Sequence, residues 1–239
     1  MKPYYQDEAV TIYHGDCREI IPDLPMVDLV LTDPPYFLPI QSYVGTRKDS
    51  YQKRMIGDLS VLKGYFELVF SDLVKVLNNN GTYYVFCDAK SYPIFWQVMF
   101  PICRNLRLLI WDKQVSYNGY TWRHQHELIA WGELEETQRI PTGDGDVIKC
   151  RGVLQADRNH PAEKPVELLS KLLNKHLGVA LDPFMGSGST LLAAKNLNRQ
   201  AIGIEIEEAY CEIAATRCSQ GVMNLEGGHD ESEQGVEVR

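Results

Sequence analysis

Two short segments carry the residue types that could do chemistry. The first is Asp33-Pro34-Pro35-Tyr36, directly after the apolar run 27–32 (VDLVLT). Two prolines stiffen the backbone and supply no N–H donors. What remains is an acceptor cluster, the Asp33 carboxylate and the Pro34 carbonyl, beside the aromatic face of Tyr36. Such a cluster suits a planar amino group, which offers two N–H donors and a π-system to stack. A bland turn after a strand is the plainer alternative, but an Asp-Pro-Pro-Tyr run is an unusual way to make one.

The second segment is 181–190 (LDPFMGSGST), with Asp182 and Phe184 leading into Gly186-Ser187-Gly188 and Thr190. A strand, a Gly-x-Gly turn and a helix let the backbone approach a ligand and aim free N–H groups at it. The pattern is not a P-loop, because no Lys precedes Ser189-Thr190. It is not a dinucleotide fingerprint either, because Leu191 stands where a third glycine is needed. A lone Gly-x-Gly is equally common as a structural turn. Glu205, near the end of the next strand candidate, adds an acid suited to accept hydrogen bonds from ribose hydroxyls. Loop and acid together suggest a ligand containing a nucleoside without a phosphate requirement.

These segments need a scaffold, and the periodicity supplies one. Strand candidates are 10–14, 27–32, 82–87, 106–112, 126–131, 179–182 and 201–206. Helix candidates are 16–22, 62–78, 90–99, 165–177, 188–198 and 207–220. In 62–78, Leu62, Phe66, Val69, Phe70 and Leu73 make the stripe of a helix lying on a sheet, and Asn78–Gly81 reads as its stop. Alternating strands and helices predict an α/β fold with a largely parallel sheet. Only turn chemistry separates 106–112 from 126–131, so they read as an antiparallel edge hairpin. Segments 37–60 and 133–160 lack regular signals, and long irregular loops in a compact domain are usually functional or disordered.

Taken together, the motifs resemble the β-class amino-methyltransferases of DNA. Asp33-Pro34-Pro35-Tyr36 resembles that family's catalytic motif, and Asp182-Pro183-Phe184 with Gly186-Ser187-Gly188 resembles its S-adenosylmethionine loop. Gly15-Asp16-Cys17 resembles the motif whose acid meets the cofactor adenine. His160-Pro161-Ala162-Glu163-Lys164-Pro165 resembles the segment that touches the methionine end, and Gly203-Ile204-Glu205 the ribose site. The catalytic motif precedes the cofactor loop, which is the β-class order. The resemblance runs from about residue 10 to 220, with gaps at 37–60 and 133–159.

The resemblance implies a seven-stranded, mostly parallel, Rossmann-like methyltransferase sheet. It is circularly permuted, entered at its third strand, with one antiparallel strand. It implies methyl transfer from S-adenosylmethionine to adenine N6 in DNA, with the base flipped from its stack and the methyl displaced in line. Asp33, Pro34, Pro35 and Tyr36 would be catalytic. Asp16, Cys17, Lys164, Asp182, Phe184, Gly186, Ser187, Gly188, Thr190 and Glu205 would hold the cofactor. Asp at position 33 favours adenine, because the family's cytosine-N4 enzymes commonly carry Ser there. Cytosine N4 is the alternative, and a non-catalytic DNA-binding homologue a second one. The family's relatives acting on protein glutamine or RNA usually begin the motif with Asn and place it after the cofactor loop.

Composition is ordinary for a globular α/β chain, but 32 acids against 24 Lys+Arg give a net charge of −8. That excludes a uniformly basic nucleic-acid binder, not nucleic-acid binding itself. The excess lies in two stretches, 133–147 and 226–239. Positive charge gathers at 46–54, with Arg47, Lys48, Lys53 and Arg54, and at 100–125, with Arg104, Arg107, Lys113 and Arg123. Arg47, Lys48, Lys53, Arg54 and Arg123 are the expected DNA contacts. Trp111, Trp122 and Trp131 are expected to pack the hairpin, Trp122 being the best placed of them for DNA.

The six cysteines form no zinc pattern and read as buried thiols suited to a reducing cytoplasm. His124 and His126 could approach one another, but no ligand set completes a metal site. The start lacks the apolar region of a signal peptide, and no apolar stretch approaches a membrane span. Length and pattern predict one domain over 1–225 and an acidic, disordered tail over 226–239. Loops 37–60 and 133–160 are its candidate recognition elements. Their shortness suggests a short target, or help from a second subunit in a homodimer. No nuclease motif is present, so a restriction nuclease would be a separate companion protein.

Overall fold

The strand Val27–Thr32 (β3) shows why this chain makes a covered sheet. Val27, Leu29, Val30, Leu31 and Thr32 are all buried, so both faces of the strand need a partner layer. In the computed structural model, which describes residues 1–35, 59–115, 121–135, 143–153 and 163–220, each face receives helices. Cys17–Ile20 (α1), Leu59–Val76 (α2) and Tyr92–Met99 (α3) pack on one face. Val166–Leu173 (α4), Ser189–Asn196 (α5) and Glu208–Ser219 (α6) pack on the other. The result is a three-layer α/β/α sandwich.

The remaining strands are Tyr5–Gln6 (β1), Val10–His14 (β2), Leu77–Cys87 (β4), Asn105–Asp112 (β5), His126–Glu133 (β6), Val147–Lys149 (β7), Ala180–Asp182 (β8) and Ala201–Glu205 (β9). Their order is β1-β2-β9-β8-β3-β4-β6-β5-β7. β2, β9, β8, β3 and β4 run parallel, and β6 lies antiparallel between β4 and β5. All seven expected strands are present in the permuted arrangement, with the chain entering at the outermost of the parallel set.

Two features go beyond the expectation. β1 pairs antiparallel with β2, and β7 pairs parallel with β5, so among the described residues the sheet has nine strands. The 105–133 hairpin is therefore not the edge. β7 satisfies the outer backbone groups of Ile110 to Asp112 at the end of β5. It comes from within 133–160, which the sequence left without regular structure. The Trp111 indole N–H donates to the Cys150 carbonyl at 2.7 Å and anchors β7 there.

α2 carries the expected stripe, with Leu62, Phe66, Val69, Phe70 and Leu73 buried, and ends at Val76 before Asn78–Gly81. β4 begins immediately, and its register against β3 shifts between Leu77 and Thr82, so the asparagines form an irregularity within the strand. Five cysteines are buried, Cys103 is half-buried, and all six are free. No helix among the described residues is long and apolar enough to cross a membrane.

Sheet direction also sorts the charges. β5 runs parallel to β4, so residues 113–115 and 121–125 between β5 and β6 lie at the carboxyl end of the sheet. Arg104 and Arg107, at the start of β5, lie towards the opposite end. The basic residues of 100–125 thus do not form one patch. The described parts of the acidic stretch, 133–135 at the end of β6 and 143–146 before β7, also lie at that opposite end.

Candidate active site

The chain leaves β3 towards β4 on one side, and leaves β8 towards β9 on the other, although β3 and β8 are neighbours. This is the switch point of a doubly wound sheet, where a crevice opens at the carboxyl ends. Four adjacent parallel strands end there in an acid: Asp16 just beyond β2, Glu205 on β9, Asp182 on β8 and Asp33 just beyond β3. At about 4.8 Å between strands, the row spans roughly 14 Å.

Asp182 ties the two motifs together. Its Oδ1 accepts from Thr32 Oγ1 at 2.7 Å and from the Phe184 N–H at 3.1 Å, and its Oδ2 accepts from Thr190 Oγ1 at 2.6 Å. Burial pushes its carboxyl up to about 6, against the pull of these three donors, and the nearby Asp33 charge adds to the rise. The turn that follows is fixed by close approach. Gly188 has φ +80°, and a Cβ there would lie 2.7 Å from Ala214 Cβ on α6. Ser187 and Ser189 are buried, and Arg217 clamps the turn from α6, donating to the Ser187 carbonyl at 2.7 Å and pairing with Glu163 at 2.7 Å.

Glu205 accepts from the Gly186 N–H at 3.0 Å and the Glu207 N–H at 2.9 Å, one on each oxygen. The Ile206 N–H adds to these donors, the carboxylate keeps further acceptor capacity, and burial raises its pKa. Asp16 caps α1 by accepting from the Arg18 N–H at 3.0 Å. The Arg18 guanidinium holds its carboxyl below the usual range. Cys17 is buried beside the Tyr65 hydroxyl, and burial pushes its thiol up to about 11, so it is protonated at neutral pH.

Two clefts open along the row. One is lined by Gly15, Asp16, Cys17, Tyr65, Phe184 and Glu205. The other has Asp33, Lys164, Asp182, Gly186, Ser187 and Thr190 among its walls. Phe184 lines both, its ring resting against Phe66 and Tyr65. Every candidate cofactor residue lies on one or both clefts, except Gly188, which shapes the turn from behind.

Lys164 is buried with its ammonium on Asp33 and 3.3 Å from Glu127 of β6. Burial opposes its charge, yet the two carboxylates outweigh burial and its pKa is raised. Burial likewise works against the Glu127 charge, but Lys164 and Lys113 hold its pKa down. Thr32 and Glu163 stood inside motif segments without a role of their own, and Tyr65, Glu127 and Arg217 had no motif at all. Their register on β3 and β6, or their place on α2 and α6, could not be read locally.

Of the other expected residues, Pro34 and Pro35 follow Asp33 at the end of β3. Tyr36, Arg47, Lys48, Lys53 and Arg54 lie outside the described residues, as do His160 to Ala162. Arg123 is exposed on the turn at the carboxyl end. Trp111 packs inside the hairpin and Trp131 is partly buried, but Trp122 does not pack: it is 86% exposed, since its turn projects beyond the last β5–β6 pair. No group of three or more potential metal ligands occurs among the described residues.

A doubly wound sheet with an acid row and a glycine turn at its switch point defines an α/β domain whose crevice opens at the carboxyl end of the strands. A DNA methylase family model covering adenine-N6 and cytosine-N4 enzymes matches residues 27–216. The Type II methyltransferase M.HinfI of Haemophilus influenzae is 25% identical, over 91% of this chain and 70% of its own. The cytosine-N4-specific PvuII DNA methyltransferase shares the fold at TM-score 0.72 and 18% identity, over 90% of this chain and 88% of its own. A putative DNA modification methylase of Thermus thermophilus, complexed with S-adenosyl-L-methionine, shares it at TM-score 0.67 and 23% identity, over 90% and 95%. The chain belongs to the N6/N4 DNA methylase family.

Proposed function

We propose that this DNA methylase uses S-adenosylmethionine to methylate the exocyclic N6 of adenine in DNA. The observation that carries the proposal is the pair of clefts meeting at Phe184. One presents acceptors for an adenine and ribose, Asp16 and Glu205, and the other leads to Asp33. The residues present fit this cofactor, whose solved complex with the Thermus protein shares the fold. Glu205 keeps acceptor capacity beyond its backbone donors, and the bare backbone at Gly186, on the second cleft, permits close approach. When bound, the cofactor supplies an electrophilic sulfonium methyl.

The remaining work belongs to the chain. An exocyclic amine is a weak nucleophile, because its lone pair is delocalised into the ring. Asp33 and the Pro34 carbonyl accept its two N–H bonds, which favours a pyramidal nitrogen and turns the lone pair outward. Tyr36 stacks on the base. This is orientation and electrostatics, without a covalent enzyme intermediate. Cytosine N4 is the second reading, favoured by the TM-score of 0.72 to a cytosine-N4 enzyme; the carboxylate at Asp33 is what favours adenine.

A single domain over 1–225 carries the activity. DNA lies across the carboxyl end of the sheet, against Arg123 and the basic 37–60 segment. The 133–147 acids, with their described ends at the opposite end, stay clear of its phosphates. The test is to expose unmethylated DNA to protein and cofactor and read modified bases by position. N6-methyladenine in a defined context is expected, and it should vanish in Asp33→Ala while cofactor binding persists. N4-methylcytosine would replace the adenine reading, and no modified base at all would refute methyl transfer.

A further inference from the structure

Four charged side chains run in alternating sign into the second cleft: Lys113 at the end of β5, Glu127 on β6, Lys164 before α4 and Asp33 after β3. Lys113 holds Glu127 Oε1. The other oxygen, Oε2, is buried and has no hydrogen-bond partner among the described residues, with the Lys164 ammonium 3.3 Å away. That ammonium sits on Asp33 and also 5.1 Å over the Phe86 ring. Asp33 is thus engaged by a neighbouring group that competes with a target amine as a hydrogen-bond donor.

We propose that Glu127 is a positioning residue for methyl transfer, offering the Lys164 ammonium a second seat so that Asp33 can turn to the target amine. The proposal rests on the methyl-transfer reading given above. A buried ammonium cannot simply be displaced, since an unpaired charge in such a place is heavily penalised. A movement of roughly 0.5 Å would close 3.3 Å to an ordinary charge-assisted bond on Oε2. The proton stays on Lys164 throughout, and only its partner changes. Neutralising Glu127 for stability would need Lys113 alone. The orphan acceptor facing Lys164 is what a purely structural pair would lack.

The test is single-turnover methyl transfer to unmethylated duplex DNA, with cofactor affinity measured separately. Glu127→Gln should slow transfer about 10- to 100-fold while cofactor Kd changes less than about two-fold. In a Lys164→Met background the same change should add less than about two-fold, because Glu127 acts through Lys164. Glu127→Asp keeps the charge and the Lys113 pairing but withdraws the seat by about 1.5 Å, and should slow transfer at least about five-fold. It serves as the folded counterpart should Glu127→Gln misfold. Wild-type rates in both variants, or losses that multiply in the double variant, would overturn the role of Glu127 and leave the methyl-transfer reading standing. A wild-type protein that methylates no DNA would overturn both.

Discussion

Thr32 and Asp182, 150 positions apart in the chain, share a buried 2.7 Å hydrogen bond across the switch point of the sheet. It joins the last residue of β3, whose neighbour is Asp33, to the last residue of β8, from which the glycine turn follows. The relation between the proposed catalytic and cofactor segments is therefore covalent in neither direction and rigid all the same. Thr32→Val keeps the shape and removes the donor. Losing a bond to a charged acceptor should cost about 2 kcal/mol, read as a lower urea midpoint with unchanged slope. Cofactor affinity should fall with it, because Phe184 hangs from the same Asp182 oxygen.

The turn itself is expected to tolerate little. Gly188→Ala combines left-handed backbone with a Cβ only 2.7 Å from Ala214 Cβ, so about 2–4 kcal/mol should be lost. Ala214→Gly in the same protein removes the collision but not the φ of +80°, and should recover only part of the loss. Full recovery in thermal melts would show that sterics alone fix this glycine.

How much of this was legible beforehand depends on whether the signal is local. β3 and α2 were readable because burial on both faces, or a 3.6-residue stripe, is written into consecutive residues. Asp33, Asp182 and Glu205 were readable because each ends a strand in a recognisable motif. β1 and β7 were not, since two- and three-residue strands carry no alternation and exist by pairing with an edge. Arg217 looked like any surface base on α6 until the fold set it 2.7 Å from Glu163. Glu127 stood beside the more conspicuous His124 and His126, and only β6 pairing brought it to Lys164. The net charge of −8 misdirected in the same way, because it sums over both ends of the sheet.

Asp182 should leave a trace in the pH dependence of stability. Its folded pKa, about 6, stands above the ordinary 3.8, so folding favours the protonated carboxyl. The penalty for the buried charge is about 3 kcal/mol, fully present above pH 6 and gone below pH 4. Asp182→Asn does not titrate and should differ from wild type by a constant offset plus this term. Between pH 7 and pH 4, the urea-derived difference should move in favour of wild type by about 3 kcal/mol. A flat difference would mean that the three donors offset burial completely.

Sheet direction predicts that two exposed arginines of one basic stretch behave differently on DNA. Arg123 stands on the turn at the carboxyl end beside Trp122, whereas Arg104 precedes β5 at the other end. A phosphate contact contributes about 0.9 to the slope of log K against log salt, and a distant charge contributes almost nothing once screened beyond about 10 Å. Arg123→Ala should therefore weaken duplex binding and reduce the slope by about one. Arg104→Ala should leave both unchanged, although it removes the same formal charge. Titrations of one fluorescent duplex at several salt concentrations separate the two. Equal effects would mean that net charge, not the carboxyl end of the sheet, governs how this protein meets DNA.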